Sequence, residues 1–243
     1  MEYIENICED ETLDELNKVN KKIIQKKDGF RFSVDAVLIA NFLNIKSGNL
    51  TVMDIGTGTG IVPLLISDNQ HIKKIYGVEI QEENATLAKR SIIYNQLENK
   101  IEIINEDIKK LKADFKVDLI VTNPPYIKSE NGKISENRVK ALSKHEIELT
   151  IKELIENSKR ILKSGGSFNI ICRTNRLQET ISLLNENNFF IKRLRTVHTK
   201  PGKDAILFMI EALKDSKCTM EIMDALHIFN ECGNYTEEVL KYY

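Results

Sequence analysis

Hydrophobic positions recur along the chain in short runs separated by polar stretches and turns. Seven of these runs are rich in β-branched residues and predict strands at 51–55, 74–79, 101–105, 117–122, 167–172, 189–196 and 205–210. Between the first five runs, apolar residues take helical spacing at 60–67, 82–97 and 146–162. Strands that alternate with helices favour a mostly parallel sheet covered on both faces. The predicted class is therefore α/β, doubly wound.

The alternation of strands and helices changes after the long helix and before the first strand. Ser164-Gly165-Gly166 predicts the end of the long helix before the fifth strand, because glycine accepts the left-handed backbone found there. Residues 200–204 read as a turn, so the last two strands should form an antiparallel hairpin at one edge. Before the first strand, one helix is predicted at 34–43, with Ser33 as its N-cap. We expect an N-terminal extension over 1–32, one domain over 33–213, and a tail over 214–243 packing on it.

Composition and charge limit the class of protein but do not indicate a function. Apolar residues make up 42% and charged residues 29% of the 243 positions, which is ordinary for a globular protein. No apolar run approaches the roughly 18 residues of a membrane span, and no cationic, apolar leader follows Met1. Thirty-five basic residues against 36 acidic ones leave a net charge of -1, so a nucleic-acid surface would need local clustering. We expect a soluble protein with neither a membrane partner nor an obligate protein partner.

The cysteines and histidines predict no metal site. The 4 cysteines are far apart and contain no C-x-x-C pair, which excludes the usual zinc spacing and offers no disulfide framework. His71, His198 and His227 form no spaced ligand set, and His145 beside Glu146 reads as a structural or substrate-facing residue. These observations fit a reducing, cytoplasmic location and no bound metal.

A glycine-rich turn follows the first predicted strand, in Asp54-Ile55-Gly56-Thr57-Gly58-Thr59-Gly60. Such a strand-to-helix turn lets the backbone approach a ligand closely and directs helix N–H groups toward it, which indicates a nucleotide-like cofactor. The dinucleotide fingerprint would place its third glycine at Ile61, one position later than Gly60, so NAD is the weaker option.

Acidic residues close three successive strands, namely Asp54, Glu79 and Asp107. Because the carboxyl ends of parallel strands meet at one edge of a sheet, we expect these carboxylates to lie together beside the glycine turn. A carboxylate in the position of Glu79 can accept hydrogen bonds from both hydroxyls of a ribose.

This order of strands, turn and acids resembles the Rossmann-like, seven-stranded fold of the S-adenosylmethionine methyltransferases, including its terminal hairpin. The resemblance implies that Glu79 holds the ribose, that Asp107 holds the adenine amine, and that the glycine turn approaches the methionine part. It also implies that Ile80 and Ile108 enclose the adenine ring. The full implied cofactor set is Asp54, Gly56, Thr57, Gly58, Gly60, Glu79, Ile80, Asp107, Ile108 and Asn123.

The fourth predicted strand leads into Asn123-Pro124-Pro125-Tyr126, the candidate catalytic residues. An exocyclic amine on a base or amide is a poor nucleophile, so an enzyme must accept hydrogen bonds from its N–H groups as the nitrogen becomes pyramidal. The Asn123 side chain and the Pro124 carbonyl are suitable acceptors, and the prolines restrict the backbone that presents them. Tyr126 can stack on a planar substrate, a contact worth about 1–3 kcal/mol for a base.

Asn-Pro-Pro-Tyr resembles the motif of adenine N6-methyltransferases and of the glutamine methyltransferases of peptide release factors. The stretch 29–38, with Glu11-Thr12-Leu13-Asp14 upstream, resembles the bacterial family that N6-methylates adenosine 37, beside the anticodon of valine tRNA. That resemblance implies the tRNA anticodon loop as partner. The predicted substrate contacts are Phe30, Arg31, Phe32, Asp35, Arg138 and Lys144.

Basic residues form three groups that could meet RNA. They are Lys21, Lys22, Lys26, Lys27 and Arg31; Arg138, Lys140 and Lys144; and Lys192, Arg193, Arg195 and Lys200. Two other functions remain open on the sequence: glutamine methylation of a release factor, and a non-catalytic RNA-binding module that keeps the fold. Glutamine methylation needs a protein-binding helical domain, for which the 50 residues before the first strand are few.

Overall fold

The computed structural model describes residues 7–28, 32–112, 114–124 and 149–243. A separate hairpin precedes the main sheet and consists of β1 (Glu11–Leu16) and β2 (Lys21–Lys26). The main sheet contains β3 (Leu50–Ile55), β4 (Ile72–Glu79), β5 (Ile101–Asn105), β6 (Val117–Thr122), β7 (Leu162–Arg173), β8 (Phe189–His198), β9 (Ala205–Lys214), β10 (Glu221–Ile222) and β11 (Leu226–His227). The helices are α1 (Val34–Phe42), α2 (Ile61–Ile66), α3 (Glu82–Tyr94), α4 (Ile151–Ile161), α5 (Leu177–Glu186) and α6 (Glu237–Leu240).

The strand order of the main sheet is β10-β8-β9-β7-β6-β3-β4-β5, and β11 also pairs with β8. Strands β3 to β7 run parallel to one another, whereas β9 lies antiparallel to both β7 and β8. This arrangement confirms the predicted α/β methyltransferase-like sheet with an antiparallel terminal hairpin. The carboxyl ends of β3 to β8 therefore share one edge, which we call the carboxyl edge.

Both faces of the sheet are buried, which explains why its strands read as continuous apolar runs. Along β7, Ile171 packs in the core that includes α1, α2 and α3, while Ile170 packs in the core that includes α4 and α5. Neighbouring residues of one strand thus serve opposite faces, as the alternation of an extended chain requires.

The predicted end of the long helix was wrong. Helix α4 ends at Ile161, and the fully buried Leu162 already pairs with Val117 as part of β7. Gly165 does adopt a left-handed φ of 75°, but it lies inside the strand, where the register against β6 shifts. An irregularity within a strand can use the same left-handed glycine conformation as a helix end, so the sequence signal was ambiguous.

The structure contains elements that the hydrophobic pattern did not predict. The β1–β2 hairpin lacks clean alternation, because Ile23, Ile24 and Gln25 are buried in succession. Helix α5 and the two-residue strands β10 and β11 are further additions, the latter pairing residues of the C-terminal tail with β8. The division at 32/33 and 213/214 stays a prediction. In the described part of the chain, no helix is long and apolar enough to cross a bilayer.

Candidate active site

The ends of β3 and β6 are tied together at the carboxyl edge. Thr122 is fully buried, and its hydroxyl donates a hydrogen bond of 2.9 Å to the Ile55 carbonyl. Asp54 pairs in register with Val121. Asn123 and the buried Pro124 follow directly, so the sheet brings the first half of the predicted catalytic motif beside the start of the glycine turn.

The glycine turn folds back onto the neighbouring strand. The backbone N–H groups of Gly56 and Thr57 both donate to the Val78 carbonyl, at 2.9 and 3.1 Å. Gly56, Gly58 and Gly60 have positive φ values of 75°, 57° and 88°. A Cβ built on Gly56 or Gly58 would meet no described atom within 4 Å, so these positions border open space where a ligand can approach the backbone.

Glu79 joins the glycine turn to the start of α3. Its Oε2 accepts a hydrogen bond from the Gly58 N–H and its Oε1 accepts one from the Gln81 N–H, both at 2.8 Å. Burial raises the pKa of this carboxyl, and the backbone N–H donors oppose that rise. Each oxygen of an ionised carboxylate has a second acceptor site, so Glu79 keeps the capacity to accept hydroxyl donors.

Asp54 lies near the end of β3, just before the glycine turn. Its Oδ2 and the hydroxyl of Thr57 are buried, and neither has a hydrogen-bond partner among the described residues. Burial raises the pKa of Asp54 to about 7, the neighbouring Thr57 hydroxyl opposes this rise, and the nearby charge of Glu79 adds to it. Unpartnered buried polar atoms are rare in native proteins and usually mark a place for a ligand or water. A cofactor carrying positive charge fits this carboxylate.

Asp107 and the two isoleucines complete the predicted cofactor set. Asp107 is buried, and its Oδ1 accepts a hydrogen bond of 2.9 Å from the Lys109 N–H, which fixes the turn after β5. Ile108 is 4% exposed and belongs to the core under α4, whereas Ile80 is 39% exposed. The enclosure of an adenine ring by these two side chains stays a prediction.

Several predicted site residues lie outside the described residues, namely Pro125, Tyr126, Phe30, Arg31, Arg138 and Lys144. Phe32 is half-buried and packs against the core that includes α1. Asp35 is half-buried in the first turn of α1.

Two of the three basic groups are largely engaged in ion pairs. In the first, Lys26 contacts Asp10 at 2.6 Å, and Lys21 contacts Asp68 at 3.1 Å. In the third, Arg193 pairs with the buried Glu211 and Arg195 pairs with Glu238. Their acidic partners are distant in sequence, so the cationic runs alone could not show that these charges are already neutralised.

Three residues with side chains that can bind a metal ion lie together at the start of the hairpin. The ligand atoms of Cys8, Asp10 and Glu11 lie within 4.8 Å of one another. Both oxygens of Glu11 already accept hydrogen bonds, from the Arg90 guanidinium at 2.7 Å and from the Cys8 N–H at 3.0 Å. This group therefore reads as an ion-pair cluster, and the absence of a metal stays a prediction.

Comparison with known proteins decides the family. The family model of the methyltransferase small domain matches residues 33–200. The chain belongs to this family. This methyltransferase is 28% identical over 177 residues to the tRNA1(Val) (adenine(37)-N6)-methyltransferase of Bacteroides thetaiotaomicron, covering 72% of this chain and 73% of the relative. The enzyme of the same name from Pseudoalteromonas translucida is 24% identical, with 90% and 92% covered.

Other relatives extend the comparison. The release factor glutamine methyltransferase of Fusobacterium nucleatum is 28% identical over 170 residues, covering 67% of this chain but 48% of the relative. Among solved structures, the predicted O-methyltransferase Atu636 from Agrobacterium tumefaciens superposes with a TM-score of 0.67 at 21% identity, covering 86% of this chain and 94% of that one. The structural likeness establishes the fold.

Family, fold and relatives confirm the predicted resemblance and the predicted cofactor: the protein is an S-adenosylmethionine-dependent methyltransferase. The open backbone at Gly56 and Gly58 and the unpartnered oxygen of Asp54 fit that cofactor, which carries a ribose and two positively charged groups. Sequence reasoning missed Thr122, whose hydroxyl fixes the end of β6, because a threonine at a strand end carries no signal of its partner.

Proposed function

We propose that this methyltransferase transfers a methyl group to the exocyclic N6 amine of adenosine 37 in valine tRNA. The observation that carries the proposal is the position of Asn123 and Pro124, which follow the tied ends of β6 and β3 on the edge that holds Asp54 and Glu79. Alignments to two relatives named for this activity cover 72% and 90% of the chain, and this similarity supports the proposed tRNA substrate.

The proposed chemistry needs acceptors more than a strong base. The N6 lone pair of adenine is delocalised into the ring, so the Asn123 side-chain oxygen and the Pro124 carbonyl would accept the two amine hydrogens as the nitrogen becomes pyramidal. When bound, S-adenosylmethionine supplies a methyl group on a positively charged sulfur. The residues assigned below would hold the cofactor, which would supply the methyl group and leave as a neutral thioether, and the methylated nitrogen would lose a proton to water. Pro125 and Tyr126 would stiffen the loop and stack on the flipped base.

For the cofactor, we assign the ribose hydroxyls to Glu79 and the adenine amine to Asp107. Ile80 and Ile108 would flank the adenine ring. The backbone at Gly56, Thr57, Gly58 and Gly60 would approach the methionine part, with the Asp54 carboxylate and the Asn123 side chain facing its charged groups.

For the RNA, we retain the contacts that the sequence predicts. Phe30, Arg31, Phe32, Asp35, Arg138 and Lys144 would contact the anticodon loop. A loop nucleotide costs less to unstack than a duplex base, which suits an enzyme that must expose N6. A tRNA substrate also points to the cytoplasm as the compartment.

Glutamine methylation of a release factor is the second candidate, since the Fusobacterium relative carries that name. It would use the same acceptors on an amide nitrogen. The described residues before α1 form a β-hairpin rather than the helical elements that a protein-recognition domain of that class was expected to supply. A non-catalytic RNA-binding module is the third, and the buried, unpartnered Asp54 argues against it because such an atom suits a ligand.

The test is methyl transfer from labelled S-adenosylmethionine to unmodified valine tRNA, to the same tRNA with guanosine at position 37, and to a release factor. N6-methyladenosine in the first tRNA alone supports the proposal. Methylglutamine in the release factor would instead establish the second candidate, and cofactor binding without any product would exclude both substrates.

The Asn123→Ala variant tests the catalytic assignment. We expect kcat to fall about 100-fold or more, because removing one preorganised hydrogen-bonding group from a transition state costs about that much. The dissociation constant for S-adenosylmethionine should change far less. Asn185→Ala, an exposed asparagine of α5, is the matched control and should keep full activity. Near-normal turnover of Asn123→Ala would show that another group accepts the amine hydrogens.

A further inference from the structure

The β1–β2 hairpin lies outside the segment matched by the family model, which starts at residue 33. It is nevertheless fixed firmly to α3, the helix that follows Glu79. The Asn95 side chain accepts a hydrogen bond from the Lys22 N–H at 2.9 Å and donates one to the Lys22 carbonyl at 2.6 Å. The Ile24 N–H donates to the Ser91 hydroxyl at 2.9 Å. Side chains of α3 and of Asn95, which follows it, thus occupy part of the outer edge of β2.

A salt bridge anchors the other strand of the hairpin to the same helix. Glu11 is buried, and its Oε1 accepts a hydrogen bond of 2.7 Å from the Arg90 guanidinium. Because of this hydrogen bond with Arg90, the pKa of Glu11 falls to about 2. Both strands are therefore positioned by contacts with α3 and Asn95.

Gln25 connects this hairpin to the residue that precedes α1. It is 0% exposed, its Nε2 donates a hydrogen bond of 2.6 Å to Asp14 Oδ2, and its Oε1 accepts one of 2.8 Å from the Phe32 N–H. The orientation of the amide is unambiguous, because an ionised carboxylate only accepts and a backbone N–H only donates. One buried amide thus holds β1, β2 and Phe32 together.

Phe32 lies two residues before the start of α1. Beyond the far end of α1, the Ile45 carbonyl, three residues past Phe42, accepts a hydrogen bond from Asn69, which precedes β4. A nine-residue helix is about 13 Å long, so the first turn of α1 lies about that distance from the end that neighbours Asn69.

Aromatic residues of the C-terminal tail link the first turn of α1 to the carboxyl edge. The charge of Asp35, in the first turn of α1, adds to burial and to the neighbouring Tyr235 in raising the pKa of Tyr243. Tyr243 stacks on Tyr235, and Tyr235 stacks on Phe229, at 5.5 and 5.1 Å between ring centroids. The Phe229 N–H donates to the carbonyl of Thr199, the residue after β8 ends at the carboxyl edge.

We propose that Gln25 is a positioning residue for the RNA substrate, which holds the backbone at Phe32 and the start of α1 in the arrangement that receives the single-stranded anticodon loop. The inference rests on the proposed function. Gln25 itself is buried and does not touch RNA. Its effect is to fix the backbone at Phe32 and the start of α1 before RNA binds. These residues then lose less conformational freedom on binding, and such ordering improves affinity without new contacts. It also gives Asp14 of the Glu11-Thr12-Leu13-Asp14 motif a role that cofactor binding does not explain.

The test separates KM from kcat. Gln25→Met keeps the length of the side chain and removes both hydrogen bonds, so we expect KM for valine tRNA to rise about five- to tenfold. We expect kcat and the dissociation constant for S-adenosylmethionine to stay within about twofold, as fits a lost binding contribution. Glu15→Gln, which removes the exposed pair with Lys22 at 3.6 Å in the same hairpin, is the matched control and should change none of these values.

A double variant distinguishes positioning from general damage to the fold. Combining Gln25→Glu with Asp14→Asn reverses the polarity of the hydrogen bond between positions 25 and 14 and keeps an acceptor for the Phe32 N–H. The KM of this double variant should therefore be closer to the wild-type value than that of Gln25→Met. A rise in KM that the double variant does not reverse, accompanied by loss of cofactor binding, would overturn the positioning role. So would a normal KM in Gln25→Met. If the wild-type protein makes no N6-methyladenosine, the proposed function fails and this inference fails with it.

Discussion

Replacement of Glu79 by glutamine tests whether this carboxylate holds the cofactor. The substitution keeps the shape of the side chain, but an amide offers one acceptor oxygen where the carboxylate offers two. In the structure both oxygens are already used, by the N–H groups of Gly58 and Gln81 at 2.8 Å each. The introduced NH₂ group must therefore face a backbone N–H, and at least one hydrogen bond to the charged group is lost.

The magnitude follows from these contacts. A hydrogen bond to a charged group contributes about 1.5–3 kcal/mol, and the ribose hydroxyls would lose the same kind of acceptor. A loss of about 2 kcal/mol in binding corresponds to a dissociation constant for S-adenosylmethionine raised about 30-fold. The free energy of unfolding without cofactor should fall by about 1–2 kcal/mol, because the Gly58 turn loses its partner.

Isothermal titration with S-adenosylmethionine measures the first quantity and urea unfolding the second. Glu82→Gln, at the exposed start of α3, is the matched control and should alter neither by a measurable amount. If Glu79→Gln binds cofactor within about threefold of the wild-type protein, the ribose assignment is wrong. If binding weakens only in proportion to the unfolded fraction, Glu79 supports the turn and does not contact the cofactor.

Two further predictions concern charge. The pKa of Asp54 is raised to about 7 from 3.8, so the native protein without cofactor binds more protons than the unfolded chain between those values. Its free energy of unfolding should therefore fall as pH rises through this window, by at most about 1.4 kcal/mol per pH unit from this group. Asp54→Asn should remove that slope, and cationic S-adenosylmethionine should bind more tightly as pH rises toward 7, with proton release measurable by titration in two buffers. A cofactor affinity independent of pH between 5.5 and 7.5 would contradict this account. Arg193→Ala leaves the buried Glu211 without its closest partner and should lower the free energy of unfolding by about 3–5 kcal/mol, measured in urea. Arg176→Ala, an exposed i,i+3 pair, should cost under about 1 kcal/mol, and equal effects of both would refute the burial argument.

The accuracy of the sequence predictions followed the strength of each local signal. The predicted strands at 101–105 and 117–122 match β5 and β6 in both bounds, because turns and polar residues delimit their apolar runs. Helix α5 was missed although Leu177, Ile181 and Leu184 take helical spacing, since its polar surface residues obscured the pattern. The hairpin was missed because its burial depends on α3. The residues that join the two elements are 60 or more positions apart in the sequence.

The sequence by itself determined the class of fold and the order of chemical groups along it. Parallel strands joined by helices must place their carboxyl ends at one edge, so the sequence predicts that Asp54, Glu79, Asp107 and Asn123 share one site. The glycine turn could be recognised because positive φ values restrict the residue type at that position.

Only the tertiary structure decided which polar groups have partners. It paired Lys26, Arg193 and Arg195 with acids that are remote in sequence or in another strand, and so removed much of the apparent basic surface. It left the buried Oδ2 of Asp54 unpartnered among the described residues, and it placed Gln25 between Asp14 and Phe32. The physical reason is that hydrogen bonds and charges act through distances of a few ångströms, which the linear order of residues does not contain.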